Sequence, residues 1–233
     1  MKSYLFPFII IYTMMMVIPP IILAAPDEHV AKKIELRITA APLIPLGDYG
    51  SKNPQLTTAG LADVGYAFEA GITYQTKKNL VLTLGVFVHH NPANNAAASE
   101  TATIALQRPV TVEAGRWQNY GILGGFYVPL RVGESWQLQP TAMIGAAYCL
   151  TPYITSTATD PTPTYSDFTF MYRFGGGLWY QADERISFGV QAMYSSQKPT
   201  FKLVTSRFPV YTTQDVAQPI STIQIGFGVG ITL

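Results

Sequence analysis

The sequence predicts an all-β chain: a transmembrane up-and-down antiparallel β-barrel of about eight strands, with short turns at one end and long loops at the other. Three observations lead there. Only 12% of the 233 residues are charged, about half the usual share for a soluble globular chain, although the hydrophobic share of 48% is ordinary. Past the N-terminal segment the apolar pattern repeats with period two rather than 3.6. The connections between alternating segments are in turn tight and long, as when a chain crosses a membrane back and forth.

The N-terminus comes first. Lys2 is followed by an uncharged run from Tyr4 to Leu23, and Ile22-Leu23-Ala24-Ala25 offers the small residues at which a signal peptidase cuts. The run is long enough to span a bilayer, but Pro19-Pro20 break a helix just before the small residues, which suits cleavage better than anchoring. A signal peptide of residues 1–24 is expected, then a linker at 25–33 and a barrel at 34–233. Cleavage removes Lys2 and no acid, leaving 14 basic against 14 acidic residues. Export is implied, and the neutral balance excludes a nucleic-acid binder driven by bulk charge. Cys149 is the single cysteine, so it has no disulfide partner within the chain and reads as a small packing residue in a strand.

The alternating segments run roughly over 34–42, 62–75, 80–90, 117–131, 136–150, 165–182, 185–196 and 219–233. The first carries Glu35 and Arg37 on one face. In the second, Val64, Tyr66, Phe68, Ala70, Ile72 and Tyr74 lie together, opposite Gly65, Glu69, Gly71 and Thr73. The third sets Leu80, Leu82, Leu84, Val86 and Val88 against Thr83, Gly85 and His89, with Val81 and Phe87 as apolar exceptions on the second face. The fourth sets Tyr120, Ile122, Phe126, Val128 and Leu130 against Asn119, Gly121, Gly125, Tyr127 and Arg131; the fifth runs from Trp136 past Tyr148. The sixth places Phe168, Phe170, Tyr172, Phe174, Leu178 and Tyr180 opposite Arg173 and Gln181, and the seventh places Ile186, Phe188, Val190, Ala192 and Tyr194 opposite Ser187, Gly189, Gln191, Met193 and Ser195. The last is the clearest: Ile223, Ile225, Phe227, Val229, Ile231 and Leu233 share one face, while Thr222, Gln224, Gly226, Gly228, Gly230 and Thr232 share the other.

Tight turns fall at Lys77-Lys78-Asn79, Val132-Gly133-Glu134-Ser135 and Ala182-Asp183-Glu184; long loops cover 43–61, 91–116, 151–164 and 197–218. The loops, rich in Ala, Thr, Pro and Asn, are expected to be exposed and fairly mobile, without helices. Only 198–204 and 207–211 are expected to extend as a hairpin above the membrane. A soluble barrel would alternate too, so the identity of the greasy face decides. A soluble barrel needs charges outside, whereas a membrane barrel inverts this. Mid-strand charges are few here and sit on the small, polar face, which has too little Lys and Glu for a water-facing surface. Trp136, Tyr74 and Tyr180 fall at the short-turn ends of the apolar face, and Tyr66, Tyr120, Tyr148, Tyr172 and Tyr194 fall towards the long loops. Two such girdles mark membrane interfaces.

With its signal sequence, eight alternating segments, aromatic girdles and a terminal strand ending in Ile231-Thr232-Leu233, the mature chain resembles the small outer-membrane β-barrel family of OmpA-like and OmpX-like proteins. The resemblance spans roughly 34–233 and is architectural. It implies an outer-membrane location in a Gram-negative-type bacterium, with outer-membrane lipids and the barrel assembly machinery as partners. Family members commonly end in an aromatic residue; this chain departs with Leu233, and Phe227 is the nearest aromatic on that face.

An eight-stranded barrel is wide enough only for its own side chains, so a broad pore is not expected. Glu35, Arg37, Glu69, Arg131 and Arg173 are expected to form an interior charge network that plugs it, because charges removed from bulk water must pair or keep hydration. Many inward glycines would leave room for water. The leading function is a structural or surface-interaction barrel, whose loops could hold a surface ligand. A narrow channel for ions or small solutes is the alternative, and a lipid A-modifying enzyme comes third. For the last, His89-His90 are the candidates, but neither stands in a spacing that suggests a Ser nucleophile beside it, and they read as polar residues at a strand-loop boundary. No catalytic residue, metal site or cofactor is expected. Nucleic acid is not an expected partner, and a monomer is the expected state.

Overall fold

The computed structural model describes residues 34–56, 58–77, 80–207 and 210–233. The expected signal peptide and linker lie outside the described residues. In chain order the elements are β1 (Ile34–Leu46), α1 (Gly47–Gly50), β2 (Gly65–Lys77), β3 (Leu80–Pro92), α2 (Asn95–Leu106), β4 (Val112–Ala114), β5 (Arg116–Tyr127), β6 (Leu130–Val132) and β7 (Trp136–Leu150). They continue with β8 (Ile154–Ser156), β9 (Ser166–Gln181), β10 (Ile186–Gln197), β11 (Thr200–Arg207), β12 (Val210–Ala217) and β13 (Ile220–Thr232).

Eight of the strands close a ring. β1, β2, β3, β5, β7, β9, β10 and β13 each pair antiparallel with the next, and β13 returns to β1. Following ladder partners from Ile38 through Ala70, Val86 and Ile122 reaches Ala146 on β7. Going the other way through Val229, Phe188 and Tyr180 reaches Trp136 on the same strand, ten residues away. That stagger tilts the strands and sets which side chains meet across the lumen. No described helix is long and apolar enough to cross a membrane. Closure of the eight strands into a ring leaves no unpaired edge in the barrel wall.

The faces are inverted relative to a soluble barrel. Ile38 (56% exposed), Phe170 (62%), Ile225 (50%) and Phe227 (57%) point outward, while Gln224 (0%) and Arg173 (3%) are buried inside. The outward parity holds along the terminal strand, with Ile223, Val229 and Ile231 on the same side. Trp136 and Tyr180 are cross-strand partners in the short-turn girdle, with ring centroids 5.0 Å apart.

Two strand limits differ from the sequence reading for local reasons. The segment expected as 117–131 breaks at Val128-Pro129, because proline has no N–H to continue the ladder. β6 then forms a small hairpin with the start of β7. β2 begins at Gly65 rather than 62; a Cβ there would overlap the His90 carbonyl oxygen, so only glycine lets the two strands approach at this point.

The expectation of helix-free loops is corrected by α2. Its sequence is rich in Ala, the Asn94 side chain accepts from the Ala97 N–H at 2.8 Å as an N-cap, and Gln107 ends it in the left-handed region at φ 52°. The segment is also tied down: Ser99 Oγ accepts from Val112 N–H, Thr103 Oγ1 from Val110 N–H, and Asn95 Oδ1 from Ala114 N–H. β4 pairs with β8 from the next loop, and β11 pairs with β12 as the hairpin expected between 198 and 211.

Candidate functional site: the barrel interior

The lumen is filled in three tiers. At the short-turn end, Arg37 donates to Glu35 Oε2 from Nε (2.9 Å) and Nη2 (2.7 Å), to Gln139 Oε1 (2.7 Å) and to the Tyr127 hydroxyl (2.9 Å). Its guanidinium lies 4.1 Å from the Trp179 ring centre and 4.6 Å from that of Tyr127, so two aromatic faces stabilise the charge as well. Ser187 donates to the other oxygen of Glu35 at 2.5 Å.

The Trp179 indole fits because its neighbours lack side chains. A Cβ on Gly189 would run into the ring, one on Gly228 would come 2.8 Å from Cη2, and one on Gly177 2.8 Å from Nε1. The inward glycines expected to leave room for water therefore largely make room for large neighbours, the alternation of small and large that fills a narrow barrel. A cavity of about 80 Å³ remains between this tier and the next, lined by Arg37, Thr83, Tyr127, Gln191, Glu69 and Arg173 among others, room for a few waters and no more.

The middle tier is a second ion pair. Arg173 Nη1 and Glu69 Oε1 are 2.6 Å apart; Arg173 Nε donates to Ser195 Oγ at 2.9 Å, and Gln224 Nε2 donates to Glu69 at 2.8 Å. The Arg173 Nη2 to His89 Nε2 distance is 3.2 Å. The same His89 Nε2 lies 3.5 Å from Glu69 Oε1, so the imidazole edge is shared between the two members of the ion pair.

The outer tier is apolar and comes mostly from the loop ends. Tyr49, on α1, is fully buried and meets Trp117 edge to face at 5.6 Å; Trp117 meets Phe201 at 6.1 Å, over Ala147, Cys149, Met171 and Ile220. Cys149 is thus the packing residue expected. Several polar groups here are paired, although Gln197 Oε1 is buried without a hydrogen-bond partner among the described residues. Tyr49 donates to Asn91 Oδ1 (3.2 Å), Asn91 Nδ2 donates to the carbonyls of Leu43 and Asp63, and Trp117 Nε1 donates to Gly60 O (2.9 Å). Burial pushes the Tyr49 hydroxyl well above its ordinary pKa.

Of the five charges expected inside, four occupy the lumen as two separate pairs, Glu35–Arg37 and Glu69–Arg173, with the cavity between them. Arg131 does not join: it sits in β6, exposed at the short-turn rim beyond the end of β5, because Pro129 has already ended the main ladder. His89 also differs from the boundary residue expected; it is 2% exposed and part of the middle tier, and His90 is its outward neighbour. Its parity with Gly85 points inward, but nothing in the sequence shows that Arg173 faces it. Gln224, Ser195, Trp179 and Tyr49 are equally hidden. Among the described residues no three His, Cys, Asp or Glu side chains gather to hold a metal ion.

A closed eight-stranded antiparallel barrel with an apolar belt, two aromatic girdles and a polar lumen holding two ion pairs is the transmembrane fold of the small, porin-like outer-membrane β-barrels of OmpA and OmpX type. No family model and no curated protein matches the sequence. Among solved structures, a major outer membrane protein from Thermus thermophilus is similar over 88% of this chain and 100% of its own, at 9% identity and a TM-score of 0.55. Neisserial surface protein A is similar over 85% of this chain and 96% of its own, at 8% identity and a TM-score of 0.52. At such identities the likeness is one of fold.

Proposed function

We propose that the chain is exported with cleavage after Ala24, inserts as a monomer into the outer membrane through the barrel assembly machinery, and serves as a closed structural or surface-interaction barrel. The observation that carries this reading is the stack of two unlike seals. The dry Tyr49–Trp117–Phe201 tier lies at the loop end, above the Glu69–Arg173 pair. An ion would have to separate that pair in a poorly solvated lumen and displace the aromatics, and either step is costly. Outside, α2 with β4 and β8, and the β11–β12 hairpin, supply ordered surface on which a loop ligand would land.

The enzyme alternative loses support from the surroundings of its two histidines. His89 is held by Arg173, which also donates to Ser195 and pairs with Glu69, and His90 lies between two tyrosines on the outer face. Planar-bilayer recording tests the closed-barrel reading. The expected result is a silent protein; steady ion-selective conductance, changed in selectivity by Glu69→Gln without loss of stability, would establish the channel instead. A lipid A mass spectrum that changes on expression would establish the enzyme.

A further inference from the structure

The outward face of the eight barrel strands carries, among the described side chains, one residue that is charged at neutral pH: Arg116, the first residue of β5. A cation on the lipid side of a barrel is costly at mid-membrane and much less so at the interface. Arg116 is at the loop end, just beyond the outer tyrosines. It is exposed and forms no ion pair with any described carboxylate.

It is nevertheless tethered to the girdle. Arg116 Nη1 lies 3.2 Å from the Tyr66 hydroxyl, which is 2.8 Å from His90 Nδ1; His90 Nε2 is 3.2 Å from the Tyr120 hydroxyl, which donates to Gln118 Oε1 at 2.5 Å. The proton directions follow from the two ends. Arginine can only donate, so Tyr66 accepts from it and gives its own proton to Nδ1. The ring then carries its proton on Nε2 and donates to Tyr120, which passes its own to Gln118. One directed chain thus crosses β2, β3 and β5 and ties the guanidinium to the tyrosine girdle through one of its five N–H donors.

We propose that this rim is a binding site for the phosphate of an anionic lipid in the outer leaflet, with Arg116 as the phosphate ligand and Tyr66 and His90 as the residues that position it. A phosphate presents the oxygens that a guanidinium fork matches, and the interface is where such a group and this cation meet at the same depth. The site rests on the orientation proposed above, loops outward.

Native mass spectrometry of the purified barrel in mixed micelles tests it, with phosphatidylglycerol as the probe and phosphatidylcholine as the comparison. The wild type is expected to retain phosphatidylglycerol in preference, and Arg116→Gln to retain it roughly tenfold less, as for loss of one charge-assisted contact. Tyr66→Phe, which keeps the charge but cuts the tether, should fall between them, and Arg108→Gln, at an exposed loop arginine, should match the wild type. Heat-modifiable migration confirms that each variant is folded. Equal retention by the wild type and Arg116→Gln, or equal retention of the two lipids, overturns the site; full retention in Tyr66→Phe overturns the positioned geometry. The readout is independent of conductance, so a silent barrel that retains no lipid sinks only this proposal, and a conducting one that retains it sinks only the closed-barrel reading.

Discussion

Glu69 Oε1 and Arg173 Nη1 stand 2.6 Å apart across the lumen, although β2 and β9 lie on opposite sides of the ring, four strands apart. Each is the other's counter-ion in the middle tier, so the pair clamps opposite walls of the barrel.

Removing one partner strands the other. Glu69→Ala leaves the Arg173 guanidinium buried without a carboxylate, and the expected cost is about 3–5 kcal/mol, whereas a double Glu69→Ala, Arg173→Met variant should recover most of it. Denaturant unfolding in lipid vesicles, followed by tryptophan fluorescence, measures both. A coupling near zero in the double-mutant cycle would show that the clamp contributes nothing.

Glycine positions give a sharper contrast between the two faces. Gly189 faces inward, and its missing Cβ is where Trp179 lies; Gly124 faces lipid, where an added Cβ would find its nearest neighbour atom 3.8 Å away. Gly189→Val should prevent the compact, heat-modifiable form or shift tryptophan emission, because the ring is pinned from three sides. Gly124→Val should fold like the wild type. The reverse ranking in a detergent gel would contradict the facing assigned to β5 and β10.

How far the sequence reaches can be judged from these residues. The facing of Gly189, Arg173 and Ile225 is legible because strand parity is a property of neighbouring residues along one segment. The partnership of Glu69 with Arg173 is not, since it depends on the ten-residue stagger, which no single strand encodes. His89 shows the boundary between the two: its parity is readable, its partner is not. α2 escapes for a different reason. An alanine-rich run between strands satisfies both loop and helix expectations, and the deciding features are the Asn94 cap and the side-chain bonds to Val110, Val112 and Ala114, which are tertiary. Arg131 is misplaced when parity is carried across Pro129, where the ladder stops.

Lipid exposure makes a separate prediction. Ile225 is half exposed on the outward face of the terminal strand, in mid-belt between Ile223 and Phe227. Ile225→Arg should cost about 2–4 kcal/mol of folding stability in bilayers, and Ile225→Leu almost nothing. A chain that tolerates the arginine, or that stays monodisperse in buffer without detergent, would be a soluble barrel.

The outer seal should respond to alkali through Tyr49. Burial is the leading cause of its raised pKa, so the folded seal holds the phenol proton more tightly than the unfolded loop, where the ordinary value is near 10. The stabilisation is fully present below that value. Above it the unfolded loop releases a proton that the folded one keeps, so the seal weakens progressively until the folded pKa is passed. Tyr49→Phe forfeits the hydrogen bond to Asn91, roughly 1 kcal/mol, but removes this alkaline loss. Hydrogen exchange at Ala62, whose N–H donates to the Tyr49 carbonyl at 3.0 Å, and at Gly60, whose N–H donates to Asp48, reads the seal directly. Compared at matched pH, exchange should be slower in the wild type near neutrality and the difference should shrink or reverse in alkali. Parallel curves for the two proteins at every pH would mean that the Tyr49 hydroxyl does not control the closure.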